Sequence, residues 1–197
     1  MASKIKVDQI QTGDGTGTIA LQNQLSGMTG VSMPTGSTIQ TQATKFQGAY
    51  STTSASWVDV ANFSVSITPS STSNKILVQL MIQIGTQDWG GINIIREVSG
   101  QSDVIINQGN DTVGSKQNSS FGSINTSYID AQLTMPFSFV HLDSPATTSA
   151  VTYQIQVVGR MSGGGNLFYI NRPYSWNDDS TSGRVTASNI VVQEIAG

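Results

Sequence analysis

Apolar and polar residues alternate along most of the chain from residue 49 onward, which is the pattern of half-buried β-strands. The clearest run is Lys75 to Thr86, where every second residue from Ile76 to Ile84 is aliphatic. Clusters of Gly, Ser, Asn and Pro separate such runs, and no segment has helical periodicity. The other predicted strands are 57–67, 91–98, 103–107, 128–142, 151–158, 167–171 and 185–195.

About eight short strands joined by turns predict an all-β fold, an antiparallel β-sandwich of jelly-roll-like form. An antiparallel sheet must bury its apolar face, and a second sheet is the simplest cover. No repeat of fixed period is visible, which disfavours propellers and β-helices. We assign residues 49–197 to the sandwich domain and residues 37–48 to a connecting strand or linker. The Gly- and Ser-rich patches 109–123, 162–165 and 178–183 are predicted to be exposed loops.

Residues 1–36 differ from the rest, because their apolar residues are sparse and cannot build a core alone. A disordered tail is one interpretation. The other is an extended arm that becomes ordered against another subunit or another protein, and the alternation of its apolar residues favours this. The residues predicted to anchor the arm are Ile5, Val7, Ile10, Ile19 and Leu21.

Composition narrows the functional classes. Ser and Thr supply 48 of the 197 residues, charged residues only 11%, and the net charge is -3. A general nucleic-acid binder needs a basic surface, so we expect none of that activity. No apolar run is long enough to span a bilayer, and there is no cysteine for disulfides or thiolate metal sites. The N-terminus lacks the apolar stretch of a signal peptide, so we expect release by cell lysis rather than secretion.

Motifs for catalysis are not found, and we expect a protein that is not an enzyme and holds no metal or cofactor. His141 is the only histidine, and its neighbour Asp143 on the same strand face is expected to be structural. No nucleophile elbow, phosphate-binding loop or dinucleotide fingerprint is present. Asp178 and Asp179 could together hold Ca²⁺, although a solvated turn is the favoured interpretation.

Three aromatic residues in predicted loops are the candidate binding residues. They are Trp89, Tyr174 and Trp176, and Asn, Asp and Arg residues lie beside them. Aromatic faces stack on the C–H groups of sugars, while planar polar groups bond their hydroxyls. These residues therefore predict a saccharide contact. The alternative, which we favour, is that they cap the sandwich or lie in a subunit interface.

Four segments of the chain can be compared with a known family: 3–11 with the Gly/Thr stretch that follows, 66–78, 141–145 and 191–197. They resemble small fibre-type virion proteins of tailed bacteriophages, particularly those of marine cyanophages. The resemblance covers most of residues 37–197. It implies a homotrimer of β-sandwiches on the surface of the phage particle, made in the bacterial cytoplasm, with the N-terminal arm joined to other virion proteins.

The resemblance leaves two positions on the particle open. The first is a tail fibre or appendage that contacts the host, and the second is a capsid decoration protein that stabilises the head. In the second case the loops need bind nothing. A secreted β-sandwich lectin or hydrolase is a more distant alternative, because the signal peptide, carboxylate pair and metal cluster that would indicate it are not found in the sequence.

Overall fold

A computed structural model describes residues 33–86, 89–109, 118–124, 132–159, 167–175 and 184–197. Within these residues the fold is all-β without a helix, and every strand pair is antiparallel, which confirms the predicted fold class. The strands are β1 (Thr38–Phe46), β2 (Tyr50–Thr52), β3 (Val58–Ile67), β4 (Lys75–Thr86), β5 (Gly90–Val98), β6 (Val104–Ile105), β7 (Phe121–Ile124), β8 (Met135–Asp143), β9 (Val151–Val158), β10 (Phe168–Ile170) and β11 (Ser188–Ile195).

The strands form two sheets. Sheet A has the order β1-β11-β4-β10-β2, and β8 also pairs with β4. Because β8 and β11 pair with the same stretch of β4, they lie on its opposite sides. Sheet B has the order β3-β9-β5-β6, and β7 pairs with β5 as well. The first half of the chain thus pairs with the second half: β1 with β11, β3 with β9, β4 with β8, and β5 with β7.

The core lies between the sheets and is built from the alternating aliphatic residues of each strand. Ile76, Val78, Leu80 and Ile82 of β4 have 0–2% of their surface exposed. They belong to one apolar cluster with residues of β3, β5 and β9 from the facing sheet. Period-2 alternation places these side chains on one face, so a shift of register by one residue would turn all of them outward.

Strand bounds agree with the sequence where alternation is strong. β4 and β9 have the predicted bounds, Lys75–Thr86 and Val151–Val158. β11 begins at Ser188 rather than 185, because Thr186 N and Ser188 Oγ bond the oxygens of Asn171 instead of continuing the strand. Of the run predicted at 128–142, residues 128–131 lie outside the described part, and β8 begins at Met135.

Three strands lie where the sequence predicts no core strand, namely β1, β7 and the three-residue β2, which precedes the first predicted run. β1 falls inside the segment 37–48 that was assigned as a connecting strand or linker, and it pairs with β11 along that strand's whole length. β7 falls at the end of the patch 109–123, which was interpreted as a loop. Ser120 explains its position: Ser120 N donates to Asn93 Oδ1, and Ile94 N donates to Ser120 Oγ. Side chain to backbone bonds, rather than apolar alternation, place this segment beside β5.

The sandwich has two distinct ends. The arm end consists of residues 33–37, where the described chain begins, the β3–β4 and β8–β9 connections and the last residues of the chain. The loop end consists of the β1–β2 and β2–β3 connections, Trp89 and the described residues that flank β10. β4 runs from one end to the other with 12 residues. At about 3.3 Å per residue, roughly 36 Å separate the two ends.

Candidate contact surface

The structure places two of the three predicted contact residues at the loop end. Trp89 directly precedes β5, and 51% of its surface is exposed. Tyr174 is half-buried in the segment that follows β10. Trp176 lies outside the described residues, as do Asp178 and Asp179 and the predicted anchor residues Ile5, Val7, Ile10, Ile19 and Leu21. Trp89 and Tyr174 therefore belong to the same end of the molecule.

The segment carrying Tyr174 is fixed by close packing on sheet A. A Cβ atom built at Gly85 would lie 2.5 Å from Arg172 O and 2.8 Å from Pro173 Cα. Only glycine allows this backbone to approach the sheet so closely. The Arg172 guanidinium lies over the ring of Tyr169, with its carbon 4.4 Å from the ring centroid, which is a cation–π contact. Tyr169 and Arg172 thus contact each other, and both lie shortly before Tyr174 in the chain.

Trp89 is positioned by two adjacent glycines at the start of β5. A Cβ atom at Gly90 would overlap the ring of Phe168, a core residue of β10. A Cβ atom at Gly91 would lie 2.9 Å from Cη2 of Trp57. The backbone that carries Trp89 is therefore packed against β10 and against a second tryptophan. Trp57 was predicted as the start of a strand, and the signal that could have placed it here is the Gly90-Gly91 pair, which leaves room for large rings.

Asn171 joins the two halves of the loop end. It is fully buried and has φ of 65°, a left-handed conformation that asparagine tolerates better than most residues. Its Nδ2 donates to Phe46 O and to Gly48 O at 2.9 and 3.0 Å, and its Oδ1 accepts from Ser188 Oγ. The β1–β2 connection is thereby bonded to the start of the segment that carries Arg172 and Tyr174.

The arm end is organised around a buried carboxylate. Glu194 Oε1 accepts hydrogen bonds from Ser70 N, Ser70 Oγ and Asn74 Nδ2, and Oε2 accepts one from Gln40 Nε2, at 2.6–2.8 Å. Asn74 Oδ1 in turn accepts from Gly197 N. Burial by itself would raise the pKa of Glu194, but the bonds from Gln40, Asn74 and Ser70 outweigh it and hold the pKa below its usual range.

A second buried carboxylate explains the His141–Asp143 pair noted in the sequence. Asp143 Oδ1 forms a 2.7 Å salt bridge with Arg96, and Oδ2 accepts a 2.8 Å bond from the Tyr153 hydroxyl. Burial, and then the Asp143 carboxylate, raise the pKa of Tyr153, so its hydroxyl stays protonated and donates. His141 lies on the same strand face, tilted against Phe139 at 6.1 Å between ring centroids. Asp143 therefore has structural partners on β5 and β9.

Two searches for chemistry in the described ranges returned nothing. No group of three or more His, Cys, Asp or Glu residues there is arranged to hold a metal ion. No helix in that part of the chain has the length and apolarity needed to cross a membrane. At the loop end the described residues include aromatic rings, the guanidinium groups of Arg172 and Arg184, and amide groups.

No protein-family model matches the chain, and no curated protein matches it significantly. The functional assignment therefore depends on the residues and their geometry.

Proposed function

We propose that this protein is a non-enzymatic structural protein of a tailed-bacteriophage virion. In this proposal it is a trimeric tail-fibre or appendage protein, joined to the particle through residues 1–36 and touching a glycan of the host surface with its loop end. The observation that carries the proposal is the polarity of the sandwich. Residues 33–37 lie at the arm end, whereas Trp89 and Tyr174 lie at the opposite end of β4.

This polarity supports the proposal because an appendage must hold the particle and reach outward at the same time. If the chain is attached through residues that precede residue 33, the loop end faces away from the point of attachment. It then lies about 36 Å further from the particle than the arm end does. Had the aromatic residues and residues 33–37 shared one end, attachment would cover them. The Glu194 network also supports an anchoring role for the arm end, since it bonds the start of β1, the β3–β4 connection and the end of β11 together.

The chemistry of the loop end supports a glycan as its target. Trp89 presents half of its surface to solvent, and Arg172 lies on the ring of Tyr169 close to Tyr174. Sugars bind through flat apolar faces for their C–H groups and through fixed donors for their hydroxyls, and rigid positioning lowers the entropic cost of binding. Asn171, Gly85 and Gly90 supply that rigidity here.

The strand order supports the jelly-roll form of the sandwich. Pairing of β1 with β11, β3 with β9, β4 with β8 and β5 with β7 is that of one long hairpin rolled into two sheets. Such sandwiches place their connecting loops at two opposite ends. An arm at one end and a contact surface at the other suit this architecture.

Adsorption of single variants tests the glycan contact. The purified full chain is applied to an array of lipopolysaccharides and capsular polysaccharides from cyanobacteria. We expect Trp89→Ala and Tyr174→Ala to lower binding at least about tenfold, in the range reported for central aromatic contacts. Val104→Ala, an exposed apolar residue of sheet B, is the control and should bind normally. Equal binding by all variants, or none by the wild type, would contradict the contact.

Copy number per particle tests the position on the virion. Quantitative mass spectrometry of purified particles compares this chain with the major capsid protein. Tens of copies or fewer, in multiples of three, would support an appendage. A number close to that of the capsid protein would instead support the decoration protein, and absence from particles would overturn the proposal.

A further inference from the structure

The outer face of sheet A is unusually apolar for a surface of this protein. Its central side chains come from alternate residues of β4, β8 and β11. Met81, Val140 and Leu142 are 49%, 67% and 45% exposed. Leu77 pairs with Leu142, and Gln79 lies between Val140 and Val191. A shallow depression of about 130 Å³ lies among Gln79, Met81, Ser138, Val140, Asn189 and Val191.

The centre of this face is also uncharged, in contrast to the outer face of sheet B. Among the described outward residues of sheet A, the charged ones are Lys45 on the outermost strand and Lys75 at the first position of β4. Sheet B carries Asp59, Glu97 and Asp103 together. Burial, and to a smaller extent the negative charges of Asp103 and Asp59, raise the pKa of Glu97. The three carboxylates therefore repel one another.

We propose that the outer face of sheet A is the surface through which copies of this chain associate. Copies of one chain that meet around a symmetry axis bring the side chains closest to that axis near their own equivalents, so like charges at the centre of the face would meet each other. The acidic face of sheet B is therefore unsuited to self-association in a chain of net charge -3. The neutral face of sheet A carries no such penalty at its centre.

The size of the face fits this occupant. The four strands β1, β11, β4 and β8 are about 4.8 Å apart and about nine residues long, which gives roughly 600 Å² of projected area before side-chain relief. A standard interface buries about 800 Å² per partner. A strongly charged partner would find no complementary groups at the centre of this face. A second copy presents the same uncharged and apolar surface and is therefore complementary to it.

The edge of sheet A gives a second reason. Within the described residues, β8 has β4 as its strand partner and lies at the edge of sheet A over Met135–Asp143. The two most exposed apolar residues of this strand, Val140 and Leu142, lie on the same face. Long apolar edge strands promote uncontrolled association unless they are covered. A neighbouring copy would cover both the face and its edge. The proposal deepens the proposed function, on which it rests for the number of copies.

Two matched valine variants of the full chain test the interface by sedimentation equilibrium. Val140→Asp places a carboxylate at its centre, and Val104→Asp places one on an exposed valine of sheet B. We expect the wild type and Val104→Asp to sediment as a multiple of 20.8 kDa. Val140→Asp should raise the dissociation constant at least about a hundredfold, since like charges meet across the interface. Circular dichroism confirms that each variant is folded.

The outcomes separate this proposal from the glycan contact and from other occupants of the face. A wild type that is monomeric at about 100 µM, or valine variants with equal dissociation constants, would overturn it. A monomer whose melting temperature falls with Val140→Asp but not with Val104→Asp would also overturn it, in favour of residues 1–32 of the same chain as the cover. An oligomer that fails to bind any glycan would leave the interface standing and remove only the host contact.

Discussion

The two ends of the sandwich are closed by different means. At the arm end one carboxylate, Glu194, collects four hydrogen bonds from three residues that are distant in sequence. At the loop end, glycines let backbone and aromatic rings approach the sheets, and the amide of Asn171 bonds two connections together. One end depends on a charge and its donors, and the other on shape.

The difference bears on what each end can do. The Glu194 carboxylate already accepts four bonds, so it has little capacity left for a ligand and serves to hold the strands together. At the loop end, Asn171 bonds two connections together and Trp89 remains half exposed. Recognition commonly resides in loops fixed by a rigid scaffold. Mutations that remove the Glu194 charge at the arm end, or that add a methyl group at the loop end, therefore test this difference.

Removal of the Glu194 carboxylate should have the largest effect. Glu194→Ala leaves donors of Gln40, Asn74 and Ser70 unsatisfied in a buried place, and we expect the free energy of unfolding to fall by about 3 kcal/mol. Urea denaturation at pH 7 measures it. Glu97→Ala, on the outer face of sheet B, is the matched control and should change stability by less than about 0.5 kcal/mol. Equal effects of both alanines would refute the special role of the arm-end network.

A methyl group at Gly85 tests the loop end. Because its neighbours are backbone atoms of Arg172 and Pro173, the segment that carries Tyr174 must move. We expect Gly85→Ala to lower the free energy of unfolding by about 2 kcal/mol, a typical cost of overpacking, and to weaken glycan binding as well. Gly48→Ala is the control, since its Cβ would meet only Phe46 at 3.8 Å. A stable Gly85→Ala with normal binding would mean that this close approach is dispensable.

The Glu194 network is harder to predict from the sequence than the strands around it. Alternation in β4 and β9 fixes their bounds, because apolar periodicity is a local signal. The Glu194 network escapes prediction, since Gln40 of β1 and Ser70 and Asn74 of the β3–β4 connection are ordinary polar residues that meet only after β1 and β11 have paired. Trp89 is recognisable as an exposed aromatic residue between turn residues. Trp57 and Tyr169 are not, because only the packed structure brings them to the same end.

Acidification should weaken the arm end. The pKa of Glu194 is lower in the folded protein than the ordinary value of 4.5, so its ionised form stabilises the fold at neutral pH. This contribution is present above about pH 4.5 and is lost as the pH falls through the lowered value. We expect the free energy of unfolding to decrease between pH 5 and pH 3, by less than Glu194→Ala costs. Glu194→Gln should flatten this part of the profile, whereas an unchanged slope would assign the acid sensitivity to other carboxylates.

The smallest expected effect has the opposite sign and comes from the other glutamate. Burial and the nearby carboxylates of Asp103 and Asp59 raise the pKa of Glu97, so its charge destabilises the folded state at neutral pH. That cost is relieved as the pH falls through the raised pKa. Glu97→Gln should therefore increase the free energy of unfolding at pH 7, by less than about 0.5 kcal/mol because solvent screens the partly exposed group. The gain should shrink at 1 M NaCl and also as the pH falls below the ordinary value of 4.5, because the wild-type side chain then becomes protonated. A loss of stability at pH 7 would show that Glu97 acts through a favourable contact rather than through repulsion, and that both glutamates stabilise the fold when ionised.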